Sequence, residues 1–259
     1  MINKTVLALA LAGAFAAPAM AAGFTNGGFE SGTFAGWTLG SGNFSYGTPT
    51  NTLSAADYLP GGSKYNAVYS SATITNSGGM DAITGQATTY NGAHAVRMND
   101  SYNNYSVNVI KQTVTNYTDA KIFFEWNAVL EASHGTTDSD AFNLTLTDDT
   151  TATTLYQKSF SSASAPGTFT KFGSWYGSGW QTAELDVSAL SGHTFTLSLL
   201  AADCSYGGHA GYVYLDGFGS TQVPNIPTAV PEPETNAMLL AGLAIMGAVA
   251  RRRTKKSAA

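Results

Sequence analysis

Alternating apolar and polar residues, recurrent turn-forming clusters and a scarcity of charge predict an all-β fold, an antiparallel β-sandwich. Phe142, Leu144 and Leu146 alternate with Asn143, Thr145 and Thr147; Phe195, Leu197 and Leu199 alternate with Thr194, Thr196 and Ser198. A period of two sends alternate side chains to opposite faces, so each run is a strand buried on one face and wet on the other. Pro60-Gly61-Gly62-Ser63, Asn76-Ser77-Gly78-Gly79 and Pro166-Gly167 punctuate such runs, with residues that supply fixed or positive φ and local hydrogen bonds. Only 11% of residues are charged. No stretch between 23 and 230 keeps a helical period, and many short strands separated by turns indicate a sandwich or barrel.

Taken in order, residues 1–21 carry one charge, Lys4, then an apolar stretch from Val6 to Ala17 and the small-x-small pattern Ala19-Met20-Ala21. These are the parts of a secretory signal peptide, which is set aside from the fold. Residues 22–222 form the sandwich domain, long enough for one sizeable core. Further strands are expected at 67–75, 93–98, 119–131, 153–160, 180–187 and 211–218. Val107 and Val109 fall out of phase with Asn108 and Ile110, which indicates either a bulge or a strand buried on both faces. Residues 223–234 are a proline-rich linker: four prolines between Gln222 and Thr235 make it stiff and extended. Residues 235–250 hold an uncharged run expected to form a single membrane helix, and 251–259 a basic cytoplasmic tail. The run from Ala237 to Ala250 is 14 residues, where a full span takes about 20, so Thr235, Asn236 and snorkelling arginines complete it.

Removing both ends changes the electrostatics. Six lysines and arginines remain against fifteen acids, a net charge of −9 where the whole chain carries −5. A domain this acidic has nothing with which to neutralise phosphates, so nucleic acid is excluded as a partner. Cys204 is the sole cysteine, so no internal disulfide staples the fold.

The tail has a three-part order: Val230-Pro231-Glu232-Pro233-Glu234, the apolar stretch with Leu239-Leu240-Ala241-Gly242-Leu243, and Arg251-Arg252-Arg253. It resembles the PEP-CTERM sorting signal of Gram-negative bacteria. The resemblance implies an exosortase partner that removes the tail, a precursor tethered transiently in the inner membrane, and delivery to the cell surface or extracellular matrix. Pro231, Glu232, Pro233, Arg251, Arg252 and Arg253 are the sorting residues.

At the start of the domain, Asn26-Gly27-Gly28-Phe29-Glu30 is followed by Gly36-Trp37; near its end stands Tyr212-Val213-Tyr214-Leu215-Asp216-Gly217-Phe218. This pair resembles the first and last strands of jelly-roll carbohydrate-binding modules of the galactose-binding-like superfold. The resemblance implies a structural Ca2+ held by Glu30, Asp216 and backbone near Gly28. Calcium takes six to eight hard oxygens, and glycines let carbonyls reach it. Otherwise Glu30 is a surface charge and Asp216 accepts turn hydrogen bonds.

Asp203-Cys204-Ser205-Tyr206-Gly207-Gly208-His209, continuing to Asp216, is similar to a hairpin of bacterial surface and adhesin-like proteins. Cys204 and His209 could be metal ligands or a nucleophile and its base, but no third orienting group or oxyanion hole is announced nearby. The plainer reading has both packed in the hairpin. His134 to Asp140 has oxygen ligands at short spacing and reads as a hairpin loop or an ion site; His94 and His193 begin strands. Glu125, Glu131 and Glu184 could pair across a cleft for glycoside hydrolysis, yet no motif selects them and they are expected to face solvent. The domain is therefore read as non-catalytic.

Aromatics give the binding clue. The chain has four tryptophans and 13 tyrosines, and sugar C–H faces stack on such rings. Trp175, Tyr176 and Trp180 lie among glycines and serines as in an exposed loop, so they are the candidate ligand-binding residues; the competing reading is that they plug the core edge. Trp126, inside Ile122-Phe123-Phe124-Glu125-Trp126, is assigned to the core. The expected function is an exported surface or matrix protein that binds extracellular polysaccharide, with a purely structural or adhesive protein, or a glycan-active enzyme, as the alternatives.

Overall fold

The computed structural model describes residues 23–222. The signal peptide, the linker with its sorting residues, the membrane helix and the basic tail lie outside them. The domain is a sandwich of two antiparallel sheets. The first comprises β1 (Thr38–Asn43), β4 (Ser106–Tyr117), β11 (His193–Ala202), β6 (Ala141–Asp148) and β7 (Thr153–Ser161), in the order β1-β4-β11-β6-β7. The second runs β2 (Thr73–Asn76), β3 (His94–Met98), β12 (Gly211–Gly219), β5 (Lys121–Glu131), β9 (Trp175–Gly177), β8 (Thr170–Phe172), with β10 (Gln181–Asp186) also on β5.

The alternation in the sequence becomes the core. Leu197 pairs with Leu146, Leu199 with Leu144 and Ala201 with Phe142, and all six are at most 1% exposed. Phe124, Trp126, Ala128, Leu130, Val213 and Leu215 meet them from the second sheet. Each large side chain so buried is worth about 1.5–3 kcal/mol, and no disulfide is needed to hold the layers.

Val107, Val109 and Ile110 resolve as a strand buried on both faces: Ile110 belongs to the inter-sheet core, whereas Val107 and Val109 pack outward with Phe44, Tyr58 and Leu200. The helix α1 (Ala55–Tyr58) supplies Tyr58 to that second cluster. Two expectations are corrected. The strand expected at 67–75 is a 3-10 turn at Ala67–Tyr69 followed by β2, because Asn66 caps the turn through Val68 N. Residues 172–180, expected as a loop, contain the β8–β9 hairpin, whose Phe172 pairs with Trp175.

The Asn26–Trp37 segment closes against the last strand. Asn26 sits at φ 53; its Nδ2 donates to Thr33 O and Ala35 O, and its Oδ1 accepts from Ser31 N. Phe29 stacks on Trp37 with centroids 5.0 Å apart. Gly27 O accepts from Phe218 N at 3.2 Å, and a Cβ on Gly27 would lie 1.6 Å from Phe218 O, so only glycine lets the two ends of the domain touch.

Candidate functional site

The structure gathers three carboxylates where the domain closes. Asp216, on β12, is buried; its Oδ2 accepts from Tyr90 N and Asn91 N, and its Oδ1 from Gly217 N. Glu30 accepts from Ala93 N and His94 N. The turn from Tyr90 to His94 is thus strung between the two acids. Gly92 at φ +64 is required there, since a Cβ would come within 2.4 Å of Glu30 Oε1. Gly28 passes beside both: its Cβ position is 3.6 Å from Asp216 Oδ1 and 3.7 Å from Glu30 Cγ. Glu30, Asp216 and Gly28 therefore lie together.

The third acid is Glu125, directly opposite Asp216 in the β12–β5 pairing. It is 0% exposed, and neither carboxylate oxygen has a hydrogen-bond partner. The expectation that Glu125 faces solvent is corrected: β5 is buried on both faces because the 77–93 excursion covers the outer side of the sheet. Desolvation and the Asp216 charge push the Glu125 carboxyl up to about 8. Desolvation likewise raises Asp216 to about 7, opposed by its amide donors and aided by Glu30. Among the described residues no ion pair reaches any of the three acids. Burial without a countercharge favours the neutral form of a carboxyl, which is the direction both groups take. Glu125 was missed in the sequence because its apolar neighbours mark a core strand but not which face the acid takes.

The aromatic residues divide. Trp175 and Trp180 lie half-buried on the outer face of the second sheet with Tyr212, Tyr214 and Val129. Trp180 donates its indole N–H to Ala87 O at 2.9 Å, and its ring packs 5.6 Å from Tyr90. Tyr176 turns the other way and packs on the core. Asp81, from the covering excursion, accepts from the hydroxyls of Tyr212 and Tyr214 at 2.7 and 2.8 Å.

Other rings are freer. At the loop end of the sandwich Tyr46 is 69% and Tyr206 42% exposed, with centroids 5.2 Å apart. Gly47 N donates to Ser205 O, Ser205 Oγ to Thr48 O, and Thr50 N to Thr137 O, tying three loops together. A cleft of about 240 Å3 reaches these loops at Thr50 and Thr136 and is lined further by Asn51, Phe142, Ser159 and Ser161; neither tyrosine is in its wall. Hydroxyls and an amide around an aromatic floor suit a hydroxylated ligand. The rings are remote in sequence, so only the fold reveals them. Glu184 is exposed, as expected, and paired with Lys121; Glu131 is only partly exposed, its Oε2 accepting from Ala210 N and its amide donating to Asp140.

The architecture defines the class: an acidic, two-sheet antiparallel β-sandwich. The tail adds a destination, for residues 229–253 match the PEP-CTERM protein-sorting motif, which marks an exported, membrane-processed surface protein. Among curated proteins nothing matches the chain. Its structural neighbours include β-sandwich carbohydrate-binding modules. TmCBM61, solved with β-1,4-galactotriose, shares 11% identity at TM-score 0.41, with 75% of this chain and 94% of that one covered. CBM28, a module specific for non-crystalline cellulose, shares 13% at 0.37, covering 73% and 90%. The K1 cleaved adhesin domain of Lys-gingipain from Porphyromonas gingivalis W83 also shares 13% at 0.37, covering 74% and 94%. No helix of the described residues is long and apolar enough to cross a membrane.

Proposed function

We propose that this protein is a non-catalytic, polysaccharide-binding component of the cell surface or extracellular matrix. An exosortase receives it through the PEP-CTERM tail, and Ca2+ is its structural ion. The sandwich takes the jelly-roll form of binding modules. The observation that carries the sugar reading is the exposed loop-end pair Tyr46 and Tyr206, on loops that also reach a cleft lined with hydroxyls. Exposed rings stack on the apolar faces of a sugar while neighbouring side chains reach its hydroxyls. Trp175 and Trp180 form the competing face; Tyr176, on the opposite side, takes no part in it.

Calcium would be held by Glu30, Asp216 and Glu125, with backbone near Gly28; bound there it neutralises the three acids and ties the start of the domain to its last strand. Affinity electrophoresis of the chain through soluble β-glucan, β-mannan, xylan and galactan tests the sugar reading. Retardation by one polymer, abolished by a Tyr46→Ala, Tyr206→Ala double variant and kept by Trp175→Ala and Trp180→Ala, is the expected result. Loss only in the tryptophan variants moves the site to the sheet face. Unretarded migration in every polymer sinks glycan binding and leaves a structural or adhesive matrix protein.

A further inference from the structure

Three side chains at the loop end belong to no function described so far. His134 lies in the loop after β5; Cys204 and His209 flank the turn before β12. One potential ligand atom from each falls within 4.8 Å of the others. The His134 and His209 rings stand 5.2 Å apart, nearly perpendicular. These are soft and borderline ligands, a thiol and two imidazoles, unlike the all-oxygen set around Asp216, and such sets select d-block ions over calcium.

The turn is built before any ligand arrives. Cys204 N donates to His209 O, and Asn103 Nδ2 donates to the carbonyls of both residues. Gly207 and Gly208 take φ of 84 and 83, closing the turn so that its ends meet. Ser133 Oγ lies 3.3 Å from His209 Nδ1, an outer contact that orients the ring and leaves Nε2 for a ligand. Tyr206 N donates to Cys204 Sγ at 3.4 Å, and Gly207 O lies 3.8 Å from the same sulfur, so the turn fixes where the sulfur stands. Cys204 is buried while His134 is exposed, so the cluster is anchored inside and open on one side.

We propose that His134, Cys204 and His209 bind one divalent transition ion of the Zn2+ type, with a fourth position open to solvent beside His134. Three protein ligands and one exchangeable position are a familiar zinc arrangement. Binding forms the metal–sulfur bond as the thiol proton leaves to solvent. The ion would cross-link the 132–139 loop to the turn that carries Tyr206. The site stands whether or not that tyrosine contacts sugar.

Co2+ titration of the reduced full chain in mild detergent is the test. A single equivalent should raise a thiolate-to-cobalt charge-transfer band, displaced by Zn2+ and untouched by excess Ca2+. Cys204→Ser should abolish the band, and His134→Ala, a change at an exposed position, should weaken binding by at least about tenfold. Should Cys204→Ser misfold, alkylation of the native thiol replaces it: Zn2+ slows the reaction, and His134→Ala removes that protection. Co2+ binding without the sulfur band, equal affinity in His134→Ala, or alkylation indifferent to Zn2+ would each overturn the assignment.

Discussion

Glu125→Gln is the perturbation that reads the carboxylate cluster most directly. Glutamine is the neutral counterpart of the protonated acid, so the exchange keeps shape and removes only the ability to ionise. In the folded chain the carboxyl rises from 4.5 to about 8 through desolvation and the Asp216 charge. Below pH 4.5 both folded and unfolded chains hold the proton, and burial of the acid carries no ionisation penalty. As pH climbs from 4.5 towards 8 the unfolded chain releases the proton while the folded chain keeps it, so stability falls; above 8 the loss is complete. At pH 7 the gap of about 2.5 pH units is worth roughly 3 kcal/mol at 1.36 kcal/mol per unit. The variant lacks this loss, so in chelator its stability relative to wild type should improve by that amount between pH 4.5 and 7. For a domain of this size that amounts to roughly 10 °C in Tm. Melts of both proteins across pH 4.5–8 in chelator check it; superposable pH profiles would refute the claim that Glu125 is buried uncompensated. Calcium then supplies a second arm. An ion at 100 times its Kd stabilises wild type by about 2.7 kcal/mol, and the variant should gain clearly less. Equal calcium shifts, or none in wild type, would remove the ion and leave the proton account intact.

Two further tests use the same melts. Asp81 is held below the ordinary carboxylate value because hydrogen bonds from Tyr212, Thr84 and Tyr214 outweigh desolvation. Asp81→Ala strands two buried tyrosine hydroxyls, at about 1–3 kcal/mol each; it should cost roughly 3 kcal/mol and speed amide exchange across residues 79–90, and protected amides there would refute the latch. Asp203 is raised to about 6 by desolvation, despite donors from Asn104, Ser106 and Asn99. The unfolded chain ionises first, so stability declines as pH rises from about 4 to about 6. Asp203→Asn should remove that slope while lowering Tm at every pH, because its amide faces donors; an unchanged slope would assign the titration elsewhere.

The sheets were legible because period-two alternation is a local signal: Phe142 to Thr147 and Phe195 to Ser198 announce both faces of β6 and β11. The closing of the chain ends was legible only through the resemblance of the Asn26–Trp37 and Tyr212–Phe218 segments to the end strands of jelly-roll modules; that Gly27 must lack a side chain for Phe218 to approach is seen only in the fold. What stayed hidden depends on a segment crossing a sheet face. Glu125 sits in an apolar strand whose outer side would be wet but for residues 77–93, and no local pattern predicts that Asp81 docks on Tyr212 and Tyr214 from 131 and 133 residues away. Trp175 and Trp180 lie among small residues, as exposed rings do, yet the same excursion half-covers them.

Strand β12 connects the two proposed metal sites. His209 stands just before its first residue and Asp216 near its far end, seven positions on, about 23 Å along an extended strand. Hard carboxylates gather at one end of that span and a thiol with two imidazoles at the other. Ligand softness then sorts the ions: calcium has no reason to bind at Cys204, and the Co2+ band reports only sulfur. A cobalt signal that disappears in Cys204→Ser and survives in Glu125→Gln, beside a calcium shift with the reverse dependence, would establish two independent clamps. One would fix the domain's closure and the other the loops that carry Tyr206. Cross-dependence of the two signals would mean instead that metal at either end acts through the stability of the whole sandwich.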